Sequence, residues 1–246
     1  MAKKVMANLP FKLDGSKNTR DLGGYPTKYG GYTAVGQFLR SDNPGHFTDD
    51  DKKRLVDDYG VGVVCDLRSD SEAATAPCAL IDYKNVKYHQ FQMVAAGPGG
   101  KLDLPESLGE MYIQLIDRSQ ERYLGVFKAM LEHPDDCVFF NCTVGKDRTG
   151  TTAMLLLKLA GVSTEHILID YKATAYNIRD DVEKLIKFYK ERGNDLDPDF
   201  LDSKPHHMEK AIKHIDDTYG SIENWMKKVG LSDDEIGQLR NKLLGK

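Results

Sequence analysis

Residues 141–150 read Asn-Cys-Thr-Val-Gly-Lys-Asp-Arg-Thr-Gly, and they stand between two apolar runs. Asp136-Cys137-Val138-Phe139-Phe140 predicts a buried strand, and Thr149 to Leu159 predicts an apolar helix. This unit constrains the fold more than any other segment, because a buried strand feeding a buried helix belongs to a sheet covered by helices. The loop between them also has a predictable chemistry. Backbone N–H groups of Thr143, Val144, Gly145, Lys146, Asp147 and Arg148, with the positive end of the helix dipole, form a cradle for a tetrahedral oxyanion. The same field holds the Cys142 thiol as thiolate. Arg148 adds a planar fork suited to two phosphate oxygens. Spacing excludes a nucleotide-binding loop, since Phe140 occupies the place of its first glycine and Asp147, not Ser or Thr, follows Lys146. A plain core cysteine before a helix-capping loop is the bland alternative. Gly145 and the Thr149-Gly150 pair argue against it.

The rest of the chain supports an α/β class with a central, mostly parallel sheet flanked by helices and a helical C-terminal part. Thr48 is an N-cap before Asp49-Asp50-Asp51, the helix continues through Leu55, Val56 and Tyr59, and Gly60 ends it. Val61 to Leu67 then predicts a buried strand. Ala95 to Gly100 reads as a loop. Leu108–Leu115, Arg122–Leu131, the spacing of Val182, Leu185, Ile186 and Tyr189, and that of Ile222, Trp225, Met226 and Val229 predict helices. Ser232 with Glu235 is a capping box that opens a last helix through Leu243. Residues 1–10 are expected to be a mobile tail, and 11–246 a single domain.

Further segments give the chain a resemblance. Asn18-Thr19-Arg20-Asp21-Leu22-Gly23-Gly24, Leu39-Arg40-Ser41, Val64-Cys65-Asp66-Leu67-Arg68-Ser69, Ile169-Asp170-Tyr171 and Tyr219-Gly220-Ser221-Ile222 resemble, in order, landmarks of the atypical bacterial tyrosine/dual-specificity phosphatases. The loop itself looks like that of the wider protein tyrosine phosphatase superfamily. The resemblance implies hydrolysis of phosphate monoesters through a phosphocysteine intermediate, with phosphorylated proteins, phosphoinositides or small phosphate monoesters as substrates. It implies Cys142 as nucleophile, Arg148 as phosphate clamp, Thr149 as hydroxyl donor to the departing sulfur, and no metal or cofactor. Asn141 departs from the pattern, which has His before the nucleophile. A catalytically weak phosphate-binding protein is therefore the alternative.

Two aspartates compete for the general acid. Asp66 at its strand end is preferred on the resemblance, with Asp147 as loop organiser in an assisting role. Lys146 is either a solvated rim residue or a second cation facing substrate. Arg20 and Asp21 are expected to be a structural pair bracing the loop, and Arg40 is left open between bracing and substrate contact. His206 and His207 are read as an exposed turn after Pro205, not as metal ligands. The tryptophan Trp225 sits in a predicted helix without Pro-Asp, so a Trp-Pro-Asp acid loop is absent.

Charge and composition narrow the partners. A net charge of −4 gives no general attraction to nucleic acid or to an anionic membrane. No apolar run reaches the length of a membrane span. Met1 to Asn8 carries Lys3 and Lys4 but no apolar signal core, so a cytoplasmic protein is expected, or a secreted one if a signal was removed before this numbering. Cys65, Cys78, Cys137 and Cys142 show no disulfide or zinc spacing. An arsenate-reducing enzyme can use a similar anion loop, but it places the loop near the N-terminus with resolving cysteines close by, and no cysteine follows Cys142.

Overall fold

The computed structural model describes residues 11–93, 105–191 and 201–246. The expected tail over 1–10 and the expected loop over 95–100 lie outside the described residues. Five strands form one sheet: β1 (Arg20–Asp21), β2 (Phe38–Ser41), β3 (Val61–Asp66), β4 (Lys87–Gln90) and β5 (Cys137–Asn141). Their order is β1-β2-β5-β3-β4, with β1 antiparallel to β2 and every other pairing parallel. The expected α/β class holds. The helices are α1 (Asp49–Lys53, continued by a π turn over Arg54–Asp58), α2 (Asp70–Thr75), α3 (Leu108–Arg118), α4 (Gln120–Glu132), α5 (Asp147–Leu159), α6 (Thr164–Asn177), α7 (Arg179–Lys190), α8 (Pro205–Tyr219), α9 (Ile222–Val229) and α10 (Asp233–Leu244). No described helix is long and apolar enough to cross a membrane.

Alternation along the strands sends side chains to two cores. Phe38, Val63, Cys65, Val138 and Phe140 pack beneath α3–α6 and α8–α10, with Leu155, Tyr123 and Trp225 among the buried partners. Leu39, Val64, Cys137 and Phe139 face the other side, against Phe47, Leu55 and Leu80. A bulge at Gly62 interrupts the alternation of β3. Val61 pairs with Cys137 and Val63 with the next residue, Val138, so Val61 joins the smaller core and Val63 the larger.

Local signals fix the ends that matter. Thr48 caps α1 in a box with Asp51, Ser69 caps α2 in a box with Glu72, and Ser232 caps α10 in a box with Glu235. Gly60 stops the first helix with φ of 78°, a left-handed conformation that costs other residues strain. The exposed turn expected at His206 and His207 is not there. Pro205 occupies the first turn of α8, where its missing N–H costs nothing, and His207 is buried.

Candidate phosphate-binding and catalytic site

The parallel strands end at one level. Ser41, Asp66 and Asn141 are in register at the carboxyl ends of β2, β3 and β5. In open α/β sheets this edge is where ligands bind. The loop 142–146 leaves β5 there and enters α5 at Asp147.

The shape of the loop follows from where its carbonyls go. Asn43 N–H donates to the Thr143 carbonyl at 3.1 Å. The Asn18 side chain donates to Val144 O at 2.9 Å, and Arg40 donates to Gly145 O at 2.7 Å. The C=O of one residue and the N–H of the next point in opposite directions across a planar trans peptide. Three carbonyls anchored outward therefore turn the N–H groups of Val144, Gly145 and Lys146 inward. Gly145 N–H donates to Cys142 Sγ at 3.2 Å, so the thiol sits at the focus of the cradle. Gly145 has φ of 72°, and a Cβ there would meet the Ser41 carbonyl oxygen at 2.7 Å. No larger residue fits this turn without displacing the loop from the sheet edge.

A buried ion network holds these anchors. Asp170 on α6 accepts from Arg20 Nε at 2.9 Å and pairs through its other oxygen with Arg40. Arg20 also donates to the Asn18 side chain at 2.6 Å and to Thr174 Oγ1 at 3.0 Å. Asn18 and Arg40, the two groups that grip the loop, are thus both tied to Asp170. Burial pushes the Asp170 carboxyl up, and the charges of Arg20 and Arg40 pull it further down, to a net value below the usual range. Arg40 is lowered by burial and by Arg20 to about 10, so it stays charged at neutral pH. The expected Arg20–Asp21 pair does not form. Neighbours on an extended strand point to opposite faces, and Asp21 instead accepts from the N–H groups of Gly23 and Gly36 and from the Tyr59 hydroxyl.

Arg148 is braced from α2. Its two terminal nitrogens donate to the two Glu72 oxygens at 2.6 and 2.7 Å, a fork-to-fork pair. Glu72 also accepts from Thr143 Oγ1 at 2.6 Å and from Ser69 N–H at 2.8 Å. The Arg148 hydrogen bonds are the main reason its carboxyl lies well below the usual range. Burial alone would lower the Arg148 guanidinium, but Glu72 and the Cys142 sulfur raise it above its ordinary value. The sequence reading missed Glu72. The signal was present as Ser69-x-x-Glu72, a capping box directly after the Asp66-Leu67-Arg68 run.

The two aspartates sit in different surroundings. Asp66 is fully buried. It forms a two-pronged pair with Arg68, at 2.9–3.0 Å from Nε and 2.6 Å from a terminal nitrogen. It also accepts from Tyr88 at 3.0 Å and Asn141 at 3.1 Å. Arg68 continues to Asn43 and to the Ala76 carbonyl. Asp147 lies in the first turn of α5 and is partly exposed. Its Oδ1 accepts from the Tyr112 hydroxyl at 2.7 Å and lies 3.5 Å from Lys146 Nζ. Lys146 is not the solvated rim residue considered above. Its side chain is buried, and its ammonium is 3.3 Å from the Asp202 carbonyl.

Beside the loop lies a cleft of about 230 Å³. Val144, Ile178, Val182 and Leu201 give it apolar walls, Asp147 and Lys146 reach it from the loop, and Asp42 and Asp181 stand at its edge. A larger cavity of about 620 Å³, lined by Lys28, Lys158 and Ser163, lies at the opposite end of α5. At a rise of roughly 1.5 Å per residue it is on the order of 15 Å or more from Cys142.

Asn141 is fully buried, with its NH2 committed to Asp66 and its Oδ1 without a hydrogen-bond partner in the structure. A histidine here would stand against the Asp66 carboxylate, one residue before the thiol. Asn141→His is expected to favour the Cys142 thiolate, because imidazolium paired with Asp66 adds positive charge that asparagine lacks. The midpoint of iodoacetamide alkylation against pH reads this directly. Superimposable profiles in the two forms would mean that residue 141 does not tune the thiol.

Residues 11–245 match the model of the tyrosine phosphatase family. A tyrosine-protein phosphatase of Nostoc commune is 31% identical over 220 residues, covering 84% of this chain and 74% of that protein. A putative tyrosine-protein phosphatase of Cupriavidus necator is 25% identical over 258 residues, covering 99% of this chain and 91% of its own. A triple specificity protein phosphatase of Mycobacterium tuberculosis is 28% identical over 124 residues, 44% of each chain.

Proposed function

The chain belongs to the tyrosine phosphatase family, and we propose that it hydrolyses phosphotyrosine monoesters through a phosphocysteine at Cys142. The observation that carries this reading is the Gly145 N–H on Cys142 Sγ, inside a loop with the Thr143, Val144 and Gly145 carbonyls anchored away from it. The Cys142 thiolate attacks phosphorus, forming the S–P bond as the P–O bond to the leaving group breaks. Loop N–H groups and Arg148 stabilise the equatorial oxygens as their charge redistributes. Glu72 holds the Arg148 fork in plane, so little reorganisation is needed during the step.

The acid role goes to Asp147 rather than to the Asp66 of the sequence reading. Both oxygens of Asp66 are committed to Arg68, and the residue is sealed from the loop mouth. Asp147 is partly exposed and borders the cleft in which an aryl leaving group would sit. It protonates the leaving oxygen, then takes a proton from the water that cleaves the S–P bond. The Thr149 hydroxyl is buried and makes no hydrogen bond in the structure, which leaves it free to donate to the departing sulfur.

The apolar walls of the cleft favour an aryl group, while Asp42 and Asp181 at its edge disfavour the extra phosphates of polyphosphorylated inositol lipids. The mycobacterial relative is named a triple specificity protein phosphatase, and the resemblance in the sequence keeps phosphoserine, phosphothreonine and phosphoinositides as wider substrates. The test compares phosphotyrosine peptides, phosphoserine peptides and phosphoinositides with the intact protein and with Asp147→Asn and Asp66→Asn. We expect preference for phosphotyrosine. Asp147→Asn should slow a poor leaving group by about 10²-fold or more and an activated aryl phosphate far less, and Asp66→Asn should affect both alike. Binding of phosphate without turnover of any substrate would instead make the chain a phosphate-binding protein.

A further inference from the structure

Two buried tyrosines stand behind Asp147, and general packing does not call for their hydroxyls. Tyr112 on α3 and Tyr171 on α6 have ring centroids 5.9 Å apart at 84°, and neither is more than 1% exposed. Phenylalanine would fill the same space, whereas a buried hydroxyl is costly unless bonded. The Tyr112 hydroxyl lies 2.7 Å from Asp147 Oδ1 and 2.6 Å from the Tyr171 hydroxyl. We infer that Tyr112, backed by Tyr171, is the positioning residue of the general acid. The inference rests on Asp147 being that acid.

The direction of the relay follows from proton counting. A phenol has one proton to give. Burial first, then the Asp147 charge, pushes the Tyr112 phenol well above its ordinary value, so it keeps its proton at any working pH. The carboxylate is the stronger acceptor, so that proton points to Asp147 Oδ1. The Tyr112 oxygen then accepts from Tyr171, which burial likewise holds protonated. With Oδ1 occupied, the proton that Asp147 delivers sits on Oδ2. The tyrosines also fix the side-chain torsion that aims Oδ2. On entering its first helical turn, Asp147 would otherwise swing between rotamers at the edge of the cleft.

A donor to the charged form favours that form, so the Tyr112 hydroxyl favours the Asp147 carboxylate. Other groups that bear on Asp147 are Lys146 at 3.5 Å and Arg148 from the loop, both cationic, and Arg148 in turn feels the Cys142 sulfur. Asp202 acts on Tyr171 from the segment before α8. Removing the Tyr112 hydroxyl while these remain should carry the basic limb of the pH–rate profile upward.

The experiment measures kcat/KM against pH for the intact protein and for Tyr112→Phe, Tyr171→Phe, Asp147→Asn and the double variant Tyr112→Phe/Asp147→Asn. Each uses p-nitrophenyl phosphate and an alkyl-substituted phenyl phosphate with a poorer leaving group. Tyr112→Phe should move the basic limb up by about one pH unit and slow the poorer leaving group about tenfold, the activated one less than about threefold. Tyr171→Phe should act in the same direction by less. In the Asp147→Asn background, Tyr112→Phe should change nothing further. A Tyr112→Phe protein whose basic limb stays in place, or which slows both substrates equally, overturns the relay while leaving the acid in place. A basic limb that survives Asp147→Asn overturns the acid assignment itself, and the relay with it. Unfolding curves recorded beside the kinetics separate lost packing from lost positioning, since only the latter moves the limb.

Discussion

Cys142→Ser is expected to lose turnover by more than about a thousandfold, equivalent to about 4 kcal/mol of transition-state stabilisation, while retaining affinity for inorganic phosphate or vanadate. The two halves of the result have separate causes. Serine at this position has the right shape, but almost none of it is ionised near neutral pH, and its oxygen is a poor nucleophile without a base. The loop provides no base: the nearest donor, Gly145 N–H at 3.2 Å, favours an anion and accepts nothing. Binding survives because the cradle is backbone, held by Asn18, Arg40 and Asn43 and not by the thiol. Steady-state turnover of an aryl phosphate and a phosphate titration on the same preparation check both. Activity within about tenfold of the parent would remove Cys142 as nucleophile. Loss of phosphate affinity along with activity would mean that the sulfur shapes the cradle.

How far the sequence reached depends on the range of the interactions concerned. The strand 137–141 and the helix after it were legible because an uninterrupted apolar run admits few alternatives. Gly60, Ser232 and Thr48 were legible because a cap is satisfied within four residues. Pro205 misled because proline serves a turn and a first helical position equally well, and burial of His207 by α8 decides between them. For Asp66 the sequence leaves two orientations open. A carboxylate at the end of a parallel strand can face the ligand or fold back, and Arg68, two residues on, folds it back. The pair Arg20–Asp21 was adjacent in sequence but divided by the pleat of the strand, while the true partner of Arg20 stands 150 residues downstream. Tyr112 lies 35 residues from Asp147 and looked like any aromatic on an amphipathic helix. Most local caps were read, the Ser69–Glu72 box being the exception; side chains that meet only through tertiary packing were not.

Asp170 shows how much of the site depends on one such long-range contact. Asp170→Ala is expected to destabilise the fold by about 3–5 kcal/mol, because it leaves Arg20 and Arg40 buried side by side with no counter-charge. For a chain of this length each kcal/mol shifts the melting temperature by about 2–4 °C, so a drop of roughly 6–20 °C should be seen. The pH dependence has a definite sign. The folded carboxyl lies below its unfolded value, so its contribution is present above the unfolded pKa, near 4, and is lost as pH falls through the folded one. Urea midpoints of parent and variant should therefore converge below about pH 4 and separate above it. The functional part follows from the same contacts. Without Asp170, Arg40 loses the partner that aims it at the Gly145 carbonyl, and Arg20 loses the one that fixes it against Asn18. The loop amides then disperse, so whatever folded variant remains should bind phosphate more weakly, with a raised KM. Replacing Arg20 and Arg40 by methionine together with Asp170→Ala should recover much of the stability, since an apolar core needs no counter-charge. It should not recover phosphate affinity, because Gly145 O would still lack its donor. A variant Asp170→Ala within about 1 kcal/mol of the parent would show that water or side-chain rearrangement satisfies the two guanidinium groups, and that the loop is held by its own backbone.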